Sequence, residues 1–233
     1  MIRALLVALF LPVYTLAAGL LSYGVALLTG SSAFMYTCGR FGIRVALVLA
    51  GTRIEVLGKE GLADSRNTVI VANHISHLDA PVLLQALGVD FKAVAKKEVF
   101  KLPVLGAVLR LAGFIEVDRG DRAQATRAIA RAVEALKGGD CFLIFPEGTR
   151  SRTGDLGPFK KGGFVVAMDA GSRIVPVALQ GTRELMPRGG FRIRPGTVRV
   201  RVLDPVMAGS YSYDDRNALA SEVRGRIAAA LAG

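Results

Sequence analysis

A chain of 233 residues, 52% hydrophobic, with 30 Lys and Arg against 19 Asp and Glu for a net charge of +11, has room for one sizeable core and calls for an anionic partner. With no Trp, 7% aromatic residues and no run that interleaves aromatic with basic side chains, nucleic acid is the weaker option, and a phospholipid surface, a phosphorylated substrate or an acidic carrier stays open. The two cysteines, Cys38 and Cys141, stand far apart with no second thiol beside either, which argues against a disulfide framework or a thiolate zinc site and leaves them as buried or lipid-facing structural residues.

The apolar excess is concentrated at the N-terminus. No charged residue occurs between Ala4 and Gly30, and the first acidic side chain is Glu55. A helix over that stretch, rising ~1.5 Å per residue, is longer than the ~30 Å hydrocarbon core of a bilayer. A second apolar stretch, Ala33 to Ala50, carries Arg40 and Arg44 and makes a poor independent span. Two arrangements follow: a spanning helix, or a two-helix hairpin seated in one leaflet with the arginines snorkelling to lipid phosphates. A cleaved signal peptide is the competing reading, against which the apolar region continues far past any cleavage site. The expected division is residues 1–50 as membrane-anchoring helices and residues 51–233 as one domain.

Beyond Gly51 short β-like and amphipathic segments alternate. Strands are predicted over 68–72, 92–95, 114–117, 141–145, 174–179 and 198–203,. The clearest helix runs from Arg122 to Lys137, with Asp121 as N-cap, Ala125, Ile129, Val133 and Leu136 as its apolar face, and Gly138-Gly139 as its stop,. A last helix over about 214–232 is Ala-rich and is expected only to cover the sheet. The order β-α-β-α predicts an α/β fold with a mostly parallel central sheet flanked by helices.

Both histidines of the chain fall in Asn73-His74-Ile75-Ser76-His77-Leu78-Asp79. On one ideal helix, residues five apart are ~140° apart around the axis, so His74 and Asp79 could not meet there. His74 is therefore expected in the turn after the strand, with the helix starting near Ser76 to Leu78, Ser76 as N-cap and Asp79 in the first turn. Asp79 then reaches back to one ring nitrogen and leaves the other facing a cleft, the geometry of a general base and its orienter. His77, pointing elsewhere, is expected to be structural or part of the rim.

Further along, Gly113-Phe-Ile-Glu-Val-Asp-Arg119 precedes a helix and Phe145-Pro-Glu-Gly-Thr-Arg-Ser151 follows a strand. A Pro/Gly turn with solvated Glu and Arg is the plain structural reading of the latter. Arginines at strand ends and glycine-bounded loops of an α/β sheet are, however, where phosphates are held. Taken in order, the Asn-His-x-Ser-x-x-Asp run, these two segments and Ile174-Val-Pro-Val-Ala178 resemble the motifs of the glycerolipid acyltransferases, and among them the bacterial 1-acyl-sn-glycerol-3-phosphate (lysophosphatidate) acyltransferases. The resemblance covers about residues 50–205.

It implies a glycerol-3-phosphate acyltransferase-like fold behind an N-terminal apolar two-helix anchor. It implies that His74 is the base on the sn-2 hydroxyl of lysophosphatidate, with Asp79 holding it. The hydroxyl would attack an acyl thioester, of CoA or acyl carrier protein, without an acyl-enzyme, a cofactor or a metal. Arg119 matches the phosphate-binding arginine, and Glu147, Gly148, Thr149 and Arg150 match the second substrate-binding block. Glu147 would contact a glycerol hydroxyl or serve the structure. Lys96 and Lys97 match a basic stretch by the phosphate, against the alternative of an exposed strand end. Pro176 and Val177 match a block linked to the acyl region, or form a plain buried strand. Arg183, Arg188, Arg192, Arg194, Arg199 and Arg201 have no motif and form either a membrane-facing or a solvated basic surface. The implied setting is an anionic phospholipid membrane, the cell's inner membrane, with the site facing the cytoplasm. Three competitors stay open: glycerol 3-phosphate or another lysophospholipid as acceptor, a silent lipid-binding module, and a metal hydrolase built on His74, His77 and Asp79, which lacks a further histidine.

Overall fold

The computed structural model describes residues 2–118, 121–187 and 193–233. Two apolar helices, α1 (Ile2–Thr29) and α2 (Ala33–Ala50), form an antiparallel hairpin. Both are long and apolar enough to cross a membrane, and only a small share of α1 is covered by protein. Within the hairpin, the Tyr14 hydroxyl donates to Cys38 O at 2.8 Å. Arg40 differs from the expectation of a snorkelling residue: it pairs with Asp90 of the following domain, since a carboxylate lies within reach. Arg44 is exposed.

The domain follows in chain order: β1 (Thr52–Leu57), β2 (Thr68–Ala72), α3 (Asp79–Leu87), β3 (Lys92–Lys96), α4 (Lys97–Phe100), α5 (Leu105–Leu111), β4 (Ile115–Val117), α6 (Arg122–Lys137), β5 (Cys141–Ile144), α7 (Gly162–Asp169), β6 (Arg173–Gln180), α8 (Thr182–Leu185), β7 (Gly196–Val202), β8 (Val206–Met207) and α9 (Arg216–Ala232). The strands form one sheet in the order β1-β7-β6-β2-β5-β3-β4, with β8 beside β6. β6, β2, β5, β3 and β4 run parallel, whereas β7 and β8 run antiparallel to β6. β1 and β8 extend the predicted strands.

Alternation along β2 divides the core. Val69 and Val71 face α6, α7 and α9, while Ile70 and Ala72 face α2 and α3. Every residue of β2 is buried, as a parallel strand covered on both faces requires. Asp121 caps α6 by accepting Gln124 N–H at 3.0 Å. The apolar face of α6 is turned from the expected one. Ala128, Ala132, Val133 and Leu136 enter the core and Ile129 is exposed, because the alanines let the helix lie close on the sheet.

Pro176 sits inside β6, where a missing N–H ought to interrupt the ladder. Its carbonyl accepts Leu203 N–H at 2.9 Å, so its ring faces the break between β7 and β8, where no strand requires a donor. Pro176 and Val177 are buried in the sheet. Because five neighbouring strands share a direction, the loops that follow them collect along one edge, the usual place for a site in an open α/β sheet.

Candidate active site

Asn73 ends β2 and fixes where the chain turns. Its side-chain amide donates to Leu179 O at 2.9 Å and accepts Leu179 N–H at 2.8 Å, so a side chain continues the ladder to β6. The next residue leaves the sheet with both backbone groups held: His74 N–H donates to Glu147 Oε1 and His74 O accepts Ser151 N–H, each at 2.8 Å. The His74 ring stacks on Phe145 with centroids 4.1 Å apart and planes at 16°.

His74 Nδ1 lies 2.7 Å from Asp79 Oδ2. Asp79 is the first residue of α3 and fully buried, whereas the His74 side chain remains 23% exposed, so the pair runs from the core to an open face. Ile75 N–H and Ser76 N–H also donate to Oδ2, at 2.7 and 2.8 Å. Thr182, entering after β6, donates its hydroxyl to Oδ1 at 2.5 Å. The Ile75, Ser76 and Thr182 contacts each ask the carboxyl group to accept, and the His74 contact joins them when Nδ1 carries the proton,. Asp79 thus holds the turn as well as the ring.

Ser76 is not the N-cap. The helix begins at Asp79, past the reach of that hydroxyl, and Ser76 Oγ instead donates to Met186 O at 2.8 Å and accepts Leu78 N–H at 3.2 Å. His77 is exposed. Partial desolvation first, then the charges of Arg150 and His74, hold its imidazole below the ordinary value.

The Phe145-to-Ser151 segment is a tight turn in which Gly148 N–H donates to Phe145 O at 3.1 Å. Gly148 has φ +72°, a conformation that costs any other residue strain. Glu147 is buried, with Oε1 on His74 N–H and Oε2 on Gly157 N–H at 3.0 Å. Both oxygens face backbone, so the carboxylate joins two loops. Thr149 is exposed, and Arg150 is half-buried close to His77. Lys96 stands 3.4 Å from Glu98 on the surface, while Lys97 pairs with Asp118, which raises its pKa. Arg119, Arg188 and Arg192 lie outside the described residues. Of the other unassigned arginines, Arg183 donates to Arg152 O, Arg199 pairs with Glu55 and Arg201 donates to Ala230 O. Among the described residues, no three His, Cys, Asp or Glu side chains group so as to hold a metal ion.

Thr182 was not legible as a site residue. It stands 103 positions from Asp79, and only the adjacency of β6 and β2 joins them. Gly157, equally missed, carries no signal apart from the glycine itself.

A mostly parallel sheet with a His–Asp pair after its central strand and an Arg-bearing turn after the next makes this an α/β domain with its candidate site in the loops, and the Acyltransferase family model matches residues 53–180. The chain belongs to that family. Its relatives include a chloroplastic 1-acyl-sn-glycerol-3-phosphate acyltransferase of Arabidopsis thaliana, 37% identical over 181 residues that make up 77% of this chain and 49% of that one. A human 1-acyl-sn-glycerol-3-phosphate acyltransferase alpha is 34% identical over 177 residues, 76% of this chain and 62% of that one. The chain thus spans about half of the plant relative and under two thirds of the human one. The crystal structure of the 1-acyl-sn-glycerophosphate acyltransferase PlsC from Thermotoga maritima superposes with a TM-score of 0.86 at 27% identity, over 98% of this chain and 92% of that chain.

Proposed function

We propose that this domain transfers an acyl chain from an acyl thioester to the sn-2 hydroxyl of 1-acyl-sn-glycerol 3-phosphate, forming phosphatidic acid for phospholipid biosynthesis. The observation that carries this reading is the buried Asp79 holding His74 Nδ1 at 2.7 Å at the edge of an acyltransferase-family sheet. With Nδ1–H given to Asp79, Nε2 has its lone pair for the acceptor hydroxyl and takes the proton as that oxygen attacks. The oxygen–acyl bond forms, the carbon–sulfur bond breaks, and the thiolate recovers the proton from the imidazolium. Asp79 stabilises that cation while it lasts.

No acyl-enzyme is needed. The Ser76 hydroxyl is committed to Met186 O, and burial pushes the Cys141 thiol up to about 12, far from a usable thiolate. Arg150, Arg119 and the Lys96–Lys97 stretch supply cations for the acceptor phosphate, a guanidinium fork being suited to a phosphomonoester. Gly148 and Thr149 shape that loop. The names of the plant, human and Thermotoga relatives support a lysophosphatidate acceptor. α1 and α2 seat the domain on an anionic phospholipid membrane, the inner membrane of the cell, with the site on the cytoplasmic side where CoA or carrier-protein thioesters are found.

The test incubates the purified protein with lysophosphatidate, glycerol 3-phosphate or lysophosphatidylcholine, each with labelled acyl-CoA or with the labelled acyl thioester of acyl carrier protein. Phosphatidic acid from lysophosphatidate alone is expected. Product only from another acceptor overturns the substrate, and no product from any leaves a lipid-binding module.

A further inference from the structure

The loop between β5 and α7 reaches His74 through Glu147, and its far side is held by the last helix. Arg224 of α9 donates Nε–H to Gly157 O at 3.0 Å and Nη2–H to Leu156 O at 2.8 Å. Gly157 N–H donates to Glu147 Oε2 at 3.0 Å, and Glu147 Oε1 accepts His74 N–H at 2.8 Å. Gly157 is the pivot, its carbonyl held by arginine and its amide by glutamate. A Cβ on it would come 3.0 Å from Glu147 Oε2. The anchoring end is firm, since Leu219, Ala220, Val223 and Ile227 bury α9 in the core.

We propose that Arg224 is a positioning residue for His74, acting through Gly157 and Glu147. A guanidinium suits this task because its planar fork spans two successive carbonyls, whereas a lysine reaches one. Releasing the fork frees the loop, Glu147 follows, and the His74 backbone loses one of its two clamps. The Asp79 contact and the Asn73 clip stay in place, so the ring is displaced rather than lost. A displacement of this kind costs rate more than binding, because of the cations assigned to the acceptor phosphate only Arg150 lies on this loop, whereas Arg119 and the Lys96–Lys97 stretch lie outside it. The α9 helix therefore does more than cover the sheet. The role in catalysis rests on the acyl-transfer reading above; the role in placing the ring does not.

The test uses the full chain in detergent, assayed with lysophosphatidate and the acyl thioesters above. Arg224→Ala is expected to lower kcat about tenfold, with KM for lysophosphatidate changed by less than about twofold, and Arg224→Lys to recover part of it. In a Glu147→Gln background the same change should cost no more than about twofold, because the two residues act in series. Ring signals of histidine-labelled protein give a readout independent of activity. The chain has two histidines, His74→Ala assigns them, and Arg224→Ala should move the His74 signal and leave His77 in place. A folded Arg224→Ala protein with wild-type kcat and an unmoved His74 signal overturns the proposal, as does full multiplicativity with Glu147→Gln. If Arg224→Ala does not fold, Arg224→Lys and Gly157→Ala decide, since each must move the His74 signal. If the wild-type protein transfers no acyl group, the acyl-transfer reading falls and the His74 signal alone decides the positioning role.

Discussion

Asp79 draws its donors from three places: the ring of His74, the amides of Ile75 and Ser76, and the hydroxyl of Thr182. The Thr182 contact alone comes from outside the turn, from the start of α8 just after β6, so it ties the orientation of the carboxylate to the rest of the sheet. Thr182→Val keeps the volume and removes the donor, leaving a buried oxygen unpaired at a cost of about 1–3 kcal/mol. The thermal midpoint should fall by roughly 3–10 °C and kcat by about three- to tenfold, with Thr182→Ser close to wild type. Calorimetry and steady-state kinetics on the three proteins check this. At the same scale, His74 and Asp79 were legible because a spacing of five forbids their meeting on one helix, which left a single arrangement of strand, turn and helix. Ser76 was misread because a hydroxyl before a helix has more than one use, and here the Met186 carbonyl takes it.

Among the elements, the turn after β5 depends on a left-handed glycine. Gly148 at φ +72° lets Glu147 face inward while the chain doubles back. Gly148→Ala should cost roughly 1–2 kcal/mol in strain, and its Cβ would also meet Lys160 Nζ, 2.8 Å away. A lower thermal midpoint together with a reduced kcat is expected, and wild-type values for both would show that the turn tolerates a side chain. The predicted strands match because apolar runs bounded by turn residues report burial directly. β1 is absent from the predicted strands although Ile54 and Val56 alternate with Arg53 and Glu55, because an alternation this short, opened by Thr52 and Arg53, is a weak strand signal,. The antiparallel course of β7 was also hidden. Between β6 and β7 the described residues hold only the one-turn α8, too little for the crossover a parallel return needs, and residue patterns report a strand's presence better than its direction.

For the whole molecule, the proposed membrane anchoring rests on α1. Leu5, Leu9, Leu16 and Leu20 are each more than half exposed, along a helix of which only a small share is covered by protein. Apolar burial is insensitive to salt, whereas attraction between the +11 chain and anionic lipid is screened within ~3 Å at 1 M. The protein should therefore stay with phosphatidylglycerol-containing vesicles in a 1 M salt wash, and Leu9→Lys with Leu16→Lys should release a large fraction of it. Release of the wild-type protein by salt alone would make the anchoring electrostatic.

Direct transfer as proposed requires His74 to take the proton from the acceptor hydroxyl. It is tested most directly by comparing initial rates of phosphatidic acid formation by wild-type and His74→Ala proteins at equal concentration and matched thermal stability. A loss of ~10²-fold or more in kcat is expected; turnover by His74→Ala within a few-fold of wild type would rule out His74 as the base.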